Sequence, residues 1–156
     1  MSEKTNVMRI LDLFLIKYCD YEYNPFETNG VEVAHLLGED ENIVFKTLVT
    51  ISNGGRYYVF VVPVCCELDL KKAAKVTSSK SIEMIKQKDL LPLTGYIHGG
   101  CSPIGMKKLF PTFIHESALK YNQMCVSGGR CGRQIKIDPR DLIKLTNART
   151  CDLIKE

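Results

Sequence analysis

No apolar run in these 156 residues approaches the ~20 that a membrane-spanning helix needs, so a helical span is excluded. The opening residues Met1-Ser-Glu-Lys-Thr5 carry an acid early and lead into no apolar leader core, so a cytoplasmic protein is expected. No C-x-x-C occurs, the seven cysteines are odd in number, and Cys65 and Cys66 are adjacent. Neither a disulfide framework nor a zinc site follows from such spacing, no metal or other cofactor is expected, and seven free thiols fit a reducing compartment. The phosphate-cradling G-x-x-x-x-G-K-[ST] run is missing as well, without a carboxylate pair suited to Mg²⁺. A small-nucleotide binder therefore ranks last among the functional readings. There is also no evident Ser-His-Asp set.

What is present reads as one domain, residues 1–156. It is 45% hydrophobic and 25% charged, without tryptophan, and long enough to bury roughly two-thirds of its unfolded surface. The net charge of +3 conceals an asymmetry. Residues 1–70 hold five Lys/Arg against eleven Asp/Glu, and residues 71–156 hold sixteen against seven. A basic half in a small protein points to a polyanion such as RNA, although basic clusters are often only solvated faces.

Apolar residues Val7, Ile10, Leu11, Phe14 and Leu15 predict an amphipathic helix over Thr5–Lys17. Tyr21 and Tyr23 share a face of a following strand, which Pro25 stops. Val31–Leu37 reads as a helix with Thr28 or Asn29 as its cap and Gly38 after it. Ile43–Ile51 and Arg56–Val64 form the clearest strand pair, joined through Asn53-Gly54. Helices follow at Leu70–Val76 behind Asp69, from Ser79 or Ser81 to Ile85, and from Asp138-Pro139 to about Leu145. Strands are expected at Thr112–His115, from Gln123 toward the glycines at 128–129, and at Arg133–Ile137. Cys66, Cys125 and Cys151 read as small buried hydrophobes.

Two features resist a purely architectural account. Lys46 falls between Val44 and Leu48 on a strand face that otherwise reads as buried, so its ammonium must reach water, a partner or a ligand. Gly95–Lys108 holds four glycines and Pro103, which suits a loop whose backbone N–H groups approach a ligand or, equally, a tight turn. Cys101 lies within that loop, with no companion His and acid beyond the nearby His98.

Phe45-Lys-Thr-Leu48, Lys72-Ala-Ala-Lys75, Gly95-Tyr96 with Gly99-Gly-Cys-Ser-Pro-Ile-Gly105, and Val126-Ser-Gly-Gly-Arg130 occur in that order. Together they resemble the YbaK/EbsC family of Cys-tRNA(Pro) deacylases, relatives of the editing domain of bacterial prolyl-tRNA synthetases, over almost the whole chain. The resemblance implies an α/β fold with a mixed, mostly antiparallel, barrel-like sheet and flanking helices. It implies hydrolysis of the ester joining a mischarged amino acid to tRNA, without a metal. Lys46 matches the family lysine and Tyr21 a functional tyrosine, both catalytic candidates. Gly99, Gly100, Cys101, Ser127, Gly128 and Gly129 match pocket loops, and Asp138 lies close to a family acidic position.

Glycine-loop N–H groups suit the oxyanion that ester cleavage develops. Lys46 as a cation holds a phosphate or the substrate carbonyl, the role preferred here over that of a base. In cysteine-specific members the substrate thiol is considered the nucleophile, leaving as a cyclic thiolactone in a lyase-like step. That mechanism asks the protein for geometry. Cys131 departs from the basic residue or glycine common in relatives, and His98 occupies a variable position. Implied partners are aminoacylated tRNA and, transiently, prolyl-tRNA synthetase, with neither DNA nor membrane. The alternatives are an Ala-tRNA(Pro) or broad-specificity deacylase and a non-catalytic tRNA- or synthetase-binding module.

Overall fold

Asn53 and Gly54 fold the two most β-prone runs back on each other, and the remaining elements assemble around that hairpin. The computed structural model describes residues 3–156. In chain order the elements are α1 (Asn6–Leu13), β1 (Tyr18–Glu22), α2 (Gly30–Leu37), β2 (Phe45–Ser52), β3 (Tyr57–Pro63), α3 (Leu70–Val76) and β4 (Ile82–Met84). They continue with α4 (Gln87–Thr94), β5 (Thr112–His115), β6 (Met124–Ser127), β7 (Arg133–Ile137), α5 (Pro139–Thr146) and β8 (Arg149–Cys151).

The strands form two sheets, ordered β1-β7-β6 and β4-β2-β3-β5-β8. Pairing is antiparallel except at β3–β5 and β5–β8, so the sheet is mixed and mostly antiparallel as expected. The barrel-like closure is not found. Among the described residues the two sheets share one backbone bridge, from Val44 to Cys125 of β6, and β1, β4 and β8 remain outer strands. Closure fails because β2 exchanges one neighbour for another along a single edge.

Local chemistry fixes the helix starts. Thr5 caps α1 by accepting from the Met8 N–H, Asn29 caps α2 through Val31 and Glu32, and Asp69 caps α3 through Lys71 and Lys72. Each side-chain oxygen satisfies N–H groups that the helix itself leaves unpaired. Helix α1 ends earlier than the apolar spacing predicts. Leu15 takes φ +57°, and Phe14 and Leu15 are exposed, while Val7, Met8 and Leu11 enter the core.

Residues 79–85 are a second correction. Instead of a helix, Ile82–Met84 forms β4 against Thr50–Ser52. The hairpin residue Asn53 draws the segment in, its Oδ1 accepting from the N–H groups of Lys80 and Ser81 at 3.0 and 3.2 Å. Two elements carry no clear sequence signal. In α4 the interior Pro92 argues against a helix, and β8 has only three residues. Of the three cysteines read as buried, only Cys125 is fully so.

The main core lies between the two sheets, where Phe45, Val49, Val61 and Ile114 meet Met124, Val126, Ile135 and Ile137. On the opposite face of the larger sheet, Phe60, Val62 and Phe113 pack with Ala73 of α3 and Leu153. His115 anchors the chain end to this second core: its Nδ1 accepts from the Leu153 N–H at 3.1 Å. Burial lowers its pKa below the ordinary 6.5, against the opposing pull of Asp152 and Glu116, while Lys72 and Lys120 add to the lowering.

Folding thus favours the neutral imidazole, whose contribution is complete above pH 6.5 and is lost as pH falls through the lower folded-state value. Denaturant midpoints measured across this window should fall with acid. The His115→Asn variant, which keeps an acceptor but cannot titrate, should show a flatter dependence; an equal slope would remove His115 as its source.

Candidate active site

The register of β2 creates the cavity. The Val64 N–H donates to the Val44 carbonyl and the Ser52 N–H to the Arg56 carbonyl, each at 2.8 Å. Even-numbered residues of this ladder therefore exchange bonds with β3, and odd-numbered ones turn their N–H and C=O toward the far edge. Two strands share that edge. At one end the Ile43 carbonyl accepts from the Cys125 N–H at 2.8 Å; at the other the Val49 carbonyl accepts from the Ile85 N–H at 3.3 Å. Between them β2 has no lateral strand, and a cavity of about 180 Å³ opens beside Phe45–Leu48.

Four of the residues singled out from the sequence meet there: Lys46, Gly99, Cys101 and Ser127. Lys46 is half-buried and, among the described residues, makes no ion pair. Lys136, by contrast, contacts Glu39 at 2.8 Å and Lys72 contacts Asp152 at 2.8 Å. Gly99 has φ +88°, and a Cβ there would come within 2.9 Å of Thr28 Cγ2. Gly100 lies behind it, where a Cβ would meet the Cys131 backbone nitrogen at 2.8 Å. The glycine loop and the β6–β7 turn therefore touch backbone to backbone, which a side chain at residue 100 would prevent.

The remaining candidates lie elsewhere. The Gly128 N–H donates to the Arg133 carbonyl at 2.8 Å and closes the β6–β7 turn. Gly129 packs against Val7 and Tyr96, and its N–H donates to Ser127 Oγ at 3.1 Å, which orients that hydroxyl. Asp138 does not line the cavity. It caps α5 by accepting from the Arg140 N–H and pairs with the Arg140 guanidinium at 3.0 Å.

Tyr21 is also outside the lining. Its hydroxyl donates to Glu39 at 2.6 Å, and that bond, with burial and the Glu39 charge, pushes its pKa up to about 12. Burial disfavours the Glu39 charge, but Lys136 and Tyr21 outweigh it and hold the carboxyl below its ordinary value. Burial likewise pushes the Cys101 thiol up to about 12, so it supplies almost no thiolate near neutrality.

Sequence reasoning missed Gln134. It stands in one cross-strand row with Tyr21 and Ser127, lines the cavity, and is 7% exposed with no partner for Oε1. Alternation along β7 assigns Gln134 to the polar face, which reads as solvent-facing until the cavity it shares with Gly30 and Val33 of α2 is seen. Only the row opposite Ser127 could have marked it. Thr47 Oγ1 is likewise buried without a partner. His98 is exposed at the rim, and the Cys131 thiol contacts its carbonyl at 3.4 Å. The donors do not make a metal centre: among the described residues no cluster of three His, Cys, Asp or Glu side chains could hold an ion.

The profile of the aminoacyl-tRNA editing domain family matches residues 27–145. EbsC of Enterococcus faecalis, named as a candidate Cys-tRNA(Pro)/Cys-tRNA(Cys) deacylase, is 44% identical over 154 residues, 97% of this chain and 94% of that one. The solved structure of the hypothetical protein APE2540 superimposes with a TM-score of 0.88 at 23% identity, covering 98% of this chain and all of its own. A candidate trans-editing enzyme for prolyl-tRNA synthetase gives a TM-score of 0.85 at 24% identity, covering 99% and 100%. At these identities the two structures establish the fold.

A buried amide oxygen without a partner is a stability cost retained at a site. Gln134→Leu should therefore raise unfolding stability by roughly 1 kcal/mol in chemical denaturation. Glu39→Gln should bring the Tyr21 titration, followed by ultraviolet absorbance, down from about 12 toward the ordinary 10. An unchanged Tyr21 titration would mean that Glu39 is not its cause.

Proposed function

The chain belongs to the aminoacyl-tRNA editing domain family, and we propose that it is a trans-editing deacylase that removes cysteine from Cys-tRNA(Pro). The observation that carries this reading is an unpaired lysine in a small cavity bordered by a glycine loop, with no nucleophile of the protein's own activated beside it. At about 180 Å³ the cavity is small against the ~300–1,000 Å³ of sites that enclose whole drug-sized ligands. It suits an aminoacyl group, with the tRNA lying outside.

In this reading the substrate's own sulfur attacks its ester carbonyl carbon. The bond from that carbon to the terminal ribose oxygen breaks, and the thiol proton ends on the departing ribose hydroxyl. Water then opens the thiolactone to free cysteine. Lys46 holds the carbonyl or the terminal phosphate, and backbone N–H groups face the oxyanion. Gly99 and Ser127 border the substrate. Cys101 acts only as a wall, since a thiol with a pKa of about 12 is a poor nucleophile. Tyr21 supports the row behind Gln134 through Glu39.

Arg130 is exposed on the turn that abuts Gly100, and Lys107 and Lys108 are exposed at the end of the glycine loop. These cations meet the acceptor-end phosphates. So small a module has little surface for reading tRNA identity and borrows it from prolyl-tRNA synthetase in a transient cytoplasmic complex.

Deacylation of Cys-tRNA(Pro) and Ala-tRNA(Pro) should be compared directly. Cysteine should be released much faster than alanine, and Lys46→Ala should lower kcat/KM about a hundredfold. Comparable loss of alanine would assign a thiol-independent deacylase, and binding without hydrolysis would leave a tRNA-docking module. Affinity for tRNA should fall with salt at a log–log slope of about −0.7 to −0.9 per phosphate contacted. A flat response would exclude phosphate contacts as the main attraction.

A further inference from the structure

The gap in the β2 edge has a chemical identity of its own. Thr47 is odd-numbered in the ladder, so its backbone groups face the cavity rather than β3. The β6 bridge is centred on Val44 and does not extend to Thr47, and β4 begins to pair at Thr50. Among the described residues no strand pairs with Thr47 on this edge, and its Oγ1 is buried and unpartnered. A donor and an acceptor of one residue thus point together into the pocket that Lys46 and Ser127 border.

We propose that Thr47 is the subsite for the α-amino group and ester carbonyl of the substrate, which pairs with β2 as a single strand residue. This rests on the deacylase reading and specifies how that site takes hold of its substrate. An aminoacyl ester carries an N–H donor and a C=O acceptor on one α-carbon, the same arrangement as a residue of a strand. In a hydrogen-bonded antiparallel pair two residues exchange both bonds. The α-ammonium then donates to the Thr47 carbonyl, and the ester carbonyl accepts from the Thr47 N–H. The second bond polarises the carbonyl that the sulfur attacks and strengthens as negative charge develops on its oxygen.

Residues paired in this manner carry their side chains on the same face of a sheet. The substrate side chain accordingly lies on the face of Thr47's own side chain, with the unpartnered Oγ1 as its polar neighbour. The main-chain contacts are common to all amino acids. Selection among side chains is left to the walls and to the chemistry of the substrate thiol.

The test uses tRNA(Pro) esterified with cysteine or with 3-mercaptopropionate, which keeps the thiol and carbonyl but lacks the amine. Each enzymatic rate is divided by the spontaneous rate of the same ester, removing the amine's effect on intrinsic reactivity. The acceleration should fall on the order of tenfold to a hundredfold without the amine, as for loss of a charged hydrogen bond. A second arm replaces Thr47 by the α-hydroxy acid bearing the same side chain, converting its N–H to an ester oxygen. With the fold verified by circular dichroism, the acceleration on Cys-tRNA(Pro) should fall about tenfold or more.

Accelerations within threefold for the two esters, or a folded backbone variant at full activity, would overturn the pairing and leave deacylation intact. Acceleration of neither ester by the unmodified protein would overturn the deacylase reading and this subsite together.

Discussion

One strand edge with two successive partners sets the character of this molecule. A strand's backbone groups demand partners along their whole length, and β2 satisfies them with β6 at one end and β4 at the other. The two partners belong to different sheets, so they diverge and leave a gap. Closing a barrel would have filled that edge continuously. The open arrangement yields instead a cavity walled by a strand on one side and by a glycine loop and a β-turn on the other.

The polar groups around this gap fall into two populations. Tyr21, Glu39 and Lys136 satisfy one another in a half-buried network, and Asp138 is committed to a helix terminus. Such groups hold position and have little capacity left for a ligand. Gln134 Oε1 and Thr47 Oγ1 are buried without compensation from a neighbour, and the half-buried Lys46 makes no ion pair among the described residues. A fold selected for stability alone would pair or replace them, because an unpartnered buried polar atom costs about 1–3 kcal/mol. Their retention in one cavity is the physical signature of a site, and the backbone of Thr47 faces the same gap.

The fold was legible from sequence wherever the determinant was local. Asn29, Asp69 and Asp138 each stand where a helix begins, because a cap acts on N–H groups only two or three residues away. Asn53-Gly54 likewise declared its hairpin. Ile82–Met84 was misread because its conformation depends on Asn53 and β2, some thirty residues earlier in the chain. The interior proline concealed α4, and the barrel-like sheet was implied by the family resemblance alone, because alternation along a strand does not say which strand lies beside it.

By itself the sequence determined most of the helices and strands, that Lys46 sits at odds with its strand face, and that a glycine-rich loop interrupts the regular elements. Those properties are encoded in neighbouring residues through propensity, capping and alternation. Tertiary structure alone decided that Gln134 rather than Asp138 meets Lys46, that Tyr21 belongs to Glu39, and that the Thr47 backbone faces an empty edge. Each of these depends on register between strands distant in sequence. A shift of one residue turns every side chain and every backbone group of a strand to the opposite side, and no local pattern records which register the assembled sheets adopt.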